Sequence, residues 1–114
     1  MSRADDSSVD RDARAVEDIL EFCRQAARLV ARGPEAFQRD EMLALAGEAL
    51  ISRVGEAAAR LSPEFRERRP AVPWRDIRGM RNLVAHDYGR IDNRIFWNTL
   101  RRDLPALAQQ LEGT

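Results

Sequence analysis

Apolar residues recur three and four positions apart along almost the whole chain. That spacing buries one face only if the backbone is α-helical. The first run, residues 9–32, carries Val9, Ala13, Val16, Ile19, Leu20, Cys23, Ala26, Ala27 and Val30. Ser7 followed by Asp10 fits an N-terminal capping box, and Gly33-Pro34 stops the helix. Pro34 can open the next helix, because its fixed φ suits the first helical position. A second stripe runs through Phe37, Met42, Leu45, Ala46, Ala49, Leu50, Val54, Ala57 and Leu61, and ends at Ser62-Pro63. Small residues at Ala46-Gly47, Ala49 and Gly55 to Ala59 allow close helix packing.

Residues 62–73, with Pro63, Pro70 and Pro73, read as the main connection. Pro73 begins a third helix whose buried face is Trp74, Ile77, Met80 and Val84, with Gly89 as its stop. Asp92 can cap a fourth helix through Ile95, Phe96, Leu100, Leu104 and Leu107 to Leu111. Pro105 should kink or divide it. No β-type alternation of useful length appears. The pattern predicts one all-α domain over residues 1–114, an antiparallel bundle of four to five helices, with residues 1–8 as a flexible end.

Charge narrows the function classes. Nineteen Arg balance nineteen Asp and Glu, and there is no Lys. A net charge of +0 argues against wrapping nucleic acid by bulk charge. The distribution is uneven: residues 1–21 hold three Arg against seven acids, and residues 73–102 hold seven Arg against three. A polyanion would prefer the second segment, although helix-surface ion pairing explains the same composition. The single Cys23 excludes an internal disulfide and fits a reducing cytoplasm. No apolar run reaches the ~18 residues of a membrane span, and the acidic N-terminus has no signal-peptide core.

The basic segment contains Arg81-Asn82-Leu83-Val84-Ala85-His86-Asp87-Tyr88, with the only histidine and the only tyrosine of the chain. Imidazole exchanges protons near neutral pH, and guanidinium matches phosphate oxygens. The pair fits phosphate chemistry if both face one cleft. On a straight helix, at about 100° per residue, His86 is turned roughly 140° from Arg81. Either the helix ends near Ala85 and lets His86 swing across, or the site is composite, with Arg and His from two protomers. One His and one Cys cannot build a zinc site of the usual three or four protein ligands from one chain. Trp74 and Trp97 are core or interface anchors, or else base-stacking platforms. Glu56 is a buried arginine partner or an exposed helix residue. Asp87 fixes the histidine tautomer or is a solvated carboxylate.

From about Arg53 to Leu107 the chain resembles the HepT-like group of the HEPN superfamily, small all-α toxin ribonucleases. The resemblance rests on Arg53 to Ser62, on Val72-Pro73-Trp74-Arg75-Asp76-Ile77-Arg78-Gly79-Met80-Arg81-Asn82, then on His86-Asp87-Tyr88, Ile91-Asp92 and Trp97. Arg81, four residues, His86, one residue and Tyr88 match the family pattern in full. The resemblance implies a homodimer with the motif helices facing across a cleft. It implies a metal-independent endoribonuclease with no cofactor of its own, acting in a type VII-like toxin–antitoxin pair. Its partner would be an MNT-type nucleotidyltransferase antitoxin that uses ATP to AMPylate the motif tyrosine, here Tyr88. Catalysis would fall to Arg81, His86 and Asn82, with Arg75 and Arg78 helping to bind RNA. The alternative is a non-catalytic helical module that binds nucleotide or RNA and regulates such a partner. A structural interaction domain with an incidental motif is a third reading.

Overall fold

The computed structural model describes residues 3–85 and 93–113. Helix α1 spans Arg3–Val30. It starts earlier than the capping pattern predicts, so Ser7 lies in its second turn. Its buried face is Ala15, Val16, Ile19, Cys23, Ala26 and Leu29. Val9, expected on that face, is 65% exposed. Gly33, at φ 92, ends the helix in a conformation that costs glycine little, and Pro34 opens α2, Pro34–Arg39.

The second apolar stripe is not one helix. Asp40 leaves helical geometry at φ −101 and ψ 105, and its Oδ1 accepts the Met42 N–H at 2.9 Å. Capping by Asp40 starts α3, Glu41–Ala59, as a separate helix. The break re-aims the faces. Phe37 of α2 is buried against Trp97, with ring centroids 5.4 Å apart. Helix α3 buries Gly47, Leu50, Ile51, Val54, Gly55, Ala57 and Ala58. Met42 and Leu45, expected inside, are 70% and 56% exposed. Ala46, Ala49, Arg53 and Glu56 also face solvent, which settles Glu56 as an exposed helix residue.

A short helix, α4 (Pro63–Glu67), lies within the proline-rich connection. Ser62 caps it by accepting the Phe65 N–H at 3.2 Å. Asp12 of α1, 9% exposed, holds that corner: its carboxylate accepts the Ser62 N–H at 2.8 Å and the Ser62 hydroxyl at 2.7 Å. Asp12→Ala would strip both acceptors from a half-buried turn. Hydrogen bonds to a charged group contribute about 1.5–3 kcal/mol, so a loss of about 2 kcal/mol in a urea titration is the expected result. An unchanged midpoint would show that water replaces the carboxylate.

Trp74 begins α5, Trp74–Ala85. Its indole N–H donates to the carbonyls of Arg66 and Arg69, each at 3.1 Å, and its ring meets Phe65 edge-on at 6.2 Å. Trp74 and Trp97 are therefore packing anchors rather than free stacking surfaces. Ile77 and Met80 face the core. The last helical run comprises α6 (Asn93–Asn98), a π turn (Thr99–Asp103) and α7 (Leu104–Leu111). Pro105 does divide this run. The widened turn, in which the Leu104 N–H reaches back to the Thr99 carbonyl, lets the chain pass the proline without leaving the core.

Asp12 meets Ser62 and Asp18 meets Arg60 at 3.0 Å, so α3 runs antiparallel to α1. The Cys23 thiol donates to the Leu104 carbonyl at 3.4 Å, and Gln110 donates to the Ala71 carbonyl at 3.2 Å, placing α7 beside α1 and the connection that leads into α5. Burial pushes the Cys23 thiol up to about 11, so it stays protonated and inert. Phe37, Phe96, Ile19, Ile51, Leu100, Leu104, Leu107 and Leu111 fill one shared core. The fold is all-α, as the spacing predicts, with no strand among the described residues.

Candidate active site

Helix α5 carries the described part of the Arg81 to Tyr88 motif. Its N-terminal end is held by the Trp74 hydrogen bonds, and its inner face by Ile77 and Met80. Arg75, Arg78, Arg81 and Asn82 are all exposed. At about 100° per residue they cover an arc of roughly 120° on the outer side of α5. Arg81 sits at the edge of that arc, nearest to α3.

Gly55 of α3 sets this edge. A Cβ built on Gly55 would lie 2.6 Å from the Arg81 backbone nitrogen, 3.2 Å from the Arg81 Cβ and 3.4 Å from the Arg78 carbonyl oxygen. The two backbones therefore approach as closely as only glycine permits. The close approach fixes the height of the Arg81 backbone against α3, and the residue itself is exposed. The small residues of this stretch signal tight packing in the sequence, but not which residue of α5 they receive.

His86, Asp87 and Tyr88, with the expected helix stop Gly89 and cap Asp92, lie outside the described residues. The structure thus brings Arg75, Arg78, Arg81 and Asn82 onto one helix surface. An exposed cluster of guanidinium groups and an amide can hold phosphate oxygens through charge-assisted, bidentate hydrogen bonds. Hollows of about 680 and 730 Å³ flank α1 and α4, and neither is lined by these four residues. An exposed helix face of this kind fits a polyanion running across it better than an enclosed small molecule. Among the described residues no group of His, Cys, Asp or Glu is arranged to hold a metal ion, and no helix is long and apolar enough to cross a membrane.

Two polar devices carry no periodic signal: the Asp12–Ser62 clamp and the cap at Asp40. The run Gln38-Arg39-Asp40-Glu41 does hold an N-cap residue followed by an acid, which is a helix-start pattern.

Comparison with known proteins agrees with the resemblance. The model of the family described as ribonuclease HepT-like matches residues 15–113. The chain is 35% identical over 98 residues to a candidate RNase of Caldanaerobacter subterraneus subsp. tengcongensis, covering 85% of this chain and 88% of that one. It is 30% identical over 112 residues to a protein of Thermococcus cleftensis named probable ribonuclease HepT, covering 98% and 96%. A candidate RNase of Methanocaldococcus jannaschii is 28% identical over 98 residues, covering 86% and 84%. No solved structure gives a significant match. A family match that runs from the middle of α1 past the end of α7, through the arginine-bearing helix α5, places this chain in the ribonuclease HepT-like family.

Proposed function

We propose that the protein is a metal-independent endoribonuclease and the toxin of a toxin–antitoxin pair, acting as a homodimer. The observation that carries this reading is Arg81: exposed, pinned at its backbone by Gly55, and five residues before the sole histidine. Family membership and the ribonuclease names of the relatives support the reaction class.

The chemistry asks little beyond these residues. The RNA 2′-hydroxyl attacks the adjacent phosphorus, and the bond to the 5′-oxygen breaks. A base takes the 2′-hydroxyl proton, an acid returns a proton to the departing 5′-oxygen, and positive charge stabilises the phosphorane. His86 serves as base or acid, and two copies in a dimer supply both. Arg81 binds the non-bridging oxygens, and Asn82 orients the phosphate or the imidazole. Arg75 and Arg78 extend the contact along the RNA backbone. No metal or cofactor enters this scheme.

In the same reading, an MNT-type nucleotidyltransferase antitoxin uses ATP to transfer AMP to Tyr88. Each AMP group adds a bulky anion beside the arginines and blocks RNA by size and charge.

The test is incubation of total RNA or tRNA in EDTA with protein whose intact mass shows no modification. Fragments ending in 2′,3′-cyclic phosphate are the expected result. RNA left whole by the unmodified protein, bound or unbound, would discard the ribonuclease and favour the non-catalytic module.

A further inference from the structure

The outer side of α3 joins the arginines of α5 to a second group on α1. From Gly55, which receives α5, Glu56, Arg60 and Arg53 follow at about 100°, 140° and 160° around α3, and all three are exposed. Beyond them lies α1, whose Asp18 carboxylate accepts from Arg60 at 3.0 Å. Arg60 also lines a hollow of about 680 Å³ together with Arg11 and Arg14 of α1. Both α1 arginines are exposed, and neither forms an ion pair among the described residues. Three carboxylates line the same hollow. Asp12 spends both oxygens on Ser62, Asp18 is engaged by Arg60, and Glu64 is exposed.

We propose that this hollow is a second phosphate subsite, which takes the RNA strand leading away from the scissile phosphate once it has crossed α3. The inference deepens the ribonuclease reading and rests on it for what lies at the other end of the strand. A concave, guanidinium-lined surface is the kind that tracks the phosphates of a single strand. Arg11 and Arg14 stand three positions apart on one helix, and each can hold phosphate oxygens through charge-assisted hydrogen bonds.

The span suits such a strand. Packed helix axes stand about 8–10 Å apart, so α1 and α5 lie roughly 16–20 Å from each other across α3. A strand stacked at ~3.4 Å per nucleotide covers that distance in about five or six steps. Arg53 and Arg60 lie along the crossing and Glu56 beside it. The preferred substrate is therefore an RNA with a single-stranded segment of that length next to the cleavage point. A mononucleotide or dinucleotide would reach only the α5 end.

Binding of a single strand of about 20 nucleotides, with every 2′-hydroxyl methylated so that it cannot be cut, tests the path apart from the chemistry. The readout is the dependence of log affinity on log salt concentration. Changing Arg11→Ala and Arg14→Ala together should weaken binding and flatten that slope by about 1.4, or about 0.7 for each lost contact. Arg101→Ala with Arg102→Ala makes the same change in net charge on the π turn, which packs on the buried side of α3 where Leu100 meets Gly47. That control should bind as the wild type does. Asp18→Asn releases Arg60 and removes a repelling carboxylate, so it should bind more tightly. With ordinary RNA of the same length, the Arg11, Arg14 variant should raise KM and leave kcat unchanged.

These residues are exposed or half-buried, and an exposed ion pair adds little to folding, so far-UV circular dichroism should not change. If the Arg11, Arg14 variant does not fold, Asp18→Asn decides. Equal slopes in that variant and the wild type overturn the proposal. So do equal losses at the hollow and at the π turn, or an Asp18→Asn that binds no tighter. RNA bound with the expected slopes but never cut sinks only the ribonuclease reading. RNA cut normally by an Arg11, Arg14 variant of unchanged slope sinks only this one.

Discussion

Gly55→Ala should destabilise the protein, whereas Gly79→Ala should stabilise it, although both replace a helical glycine by the best helix former. Intrinsic propensity alone favours alanine by about 0.8–1 kcal/mol at either position. At Gly79 nothing lies within 4 Å of the added methyl, so that gain is realised. At Gly55 the methyl would stand 2.6 Å from the backbone nitrogen of Arg81. Backbone cannot rotate aside as a side chain can, so α5 must move away from α3. Separation loosens Val54, Ala57 and Ala58 against Ile77 and Met80, all of them buried. Overpacking of this kind costs about 1–3 kcal/mol and exceeds the propensity gain. Gly55→Val, larger and β-branched, should sit at or beyond the upper end of that range. Urea denaturation of the three variants checks the signs. A Gly55→Ala protein as stable as Gly79→Ala would mean that the helices are further apart than described. Because Gly55 sets the height of Arg81, RNA cleavage should fall in Gly55→Ala even where the protein is fully folded.

The second expected result separates chemistry from folding. Arg81 is exposed, so Arg81→Ala should change stability by no more than about 0.5 kcal/mol. RNA cleavage should nevertheless fall about 10²–10³-fold, the loss seen when one donor to a developing oxyanion is removed. Arg81→Lys should recover only part of it, since an ammonium keeps the charge but loses the two-pronged geometry. His86→Ala removes a proton-transfer group and should cost about 10²–10⁴-fold. Arg75→Ala should behave differently, weakening RNA binding and flattening its salt dependence while leaving the cleavage step intact. Single-turnover cleavage at saturating and subsaturating RNA distinguishes these patterns. Full activity in Arg81→Ala would remove Arg81 from the mechanism, and equal losses in Arg81→Ala and Arg75→Ala would make both mere docking contacts.

Much of the architecture was legible because burial imposes a period. Ile19, Cys23, Val54, Ala57, Ile77, Phe96, Leu100, Leu104 and Leu107 recur at helical spacing, and all are buried. Gly33 and Pro34 punctuate the chain through backbone chemistry that needs no neighbours. Pro105 announces a disturbance for the same reason, although only the structure reveals a π turn rather than a bend. The spacing failed where a local polar group outweighed it. Asp40 caps α3 and rotates its face, so Met42 and Leu45 leave the core that their spacing assigned to them. The Asp12–Ser62 clamp joins residues fifty positions apart, and no periodicity encodes that.

The candidate site divides along the same line. Its residue types were readable from the sequence alone: a lone histidine and tyrosine, a run of arginines, and the Arg81 to Tyr88 spacing that carries the resemblance. Side-chain chemistry is carried by each residue wherever it lies, and helical period follows from the local backbone. Position is not local. That Arg81 stands at the edge of α5, held by a glycine twenty-six residues earlier, is decided by how closely two helices can pack. That Met42 and Leu45 face outward follows from which sides of α3 are covered by α1 and α5. Those facts come from packing between distant segments, and only the tertiary structure holds them.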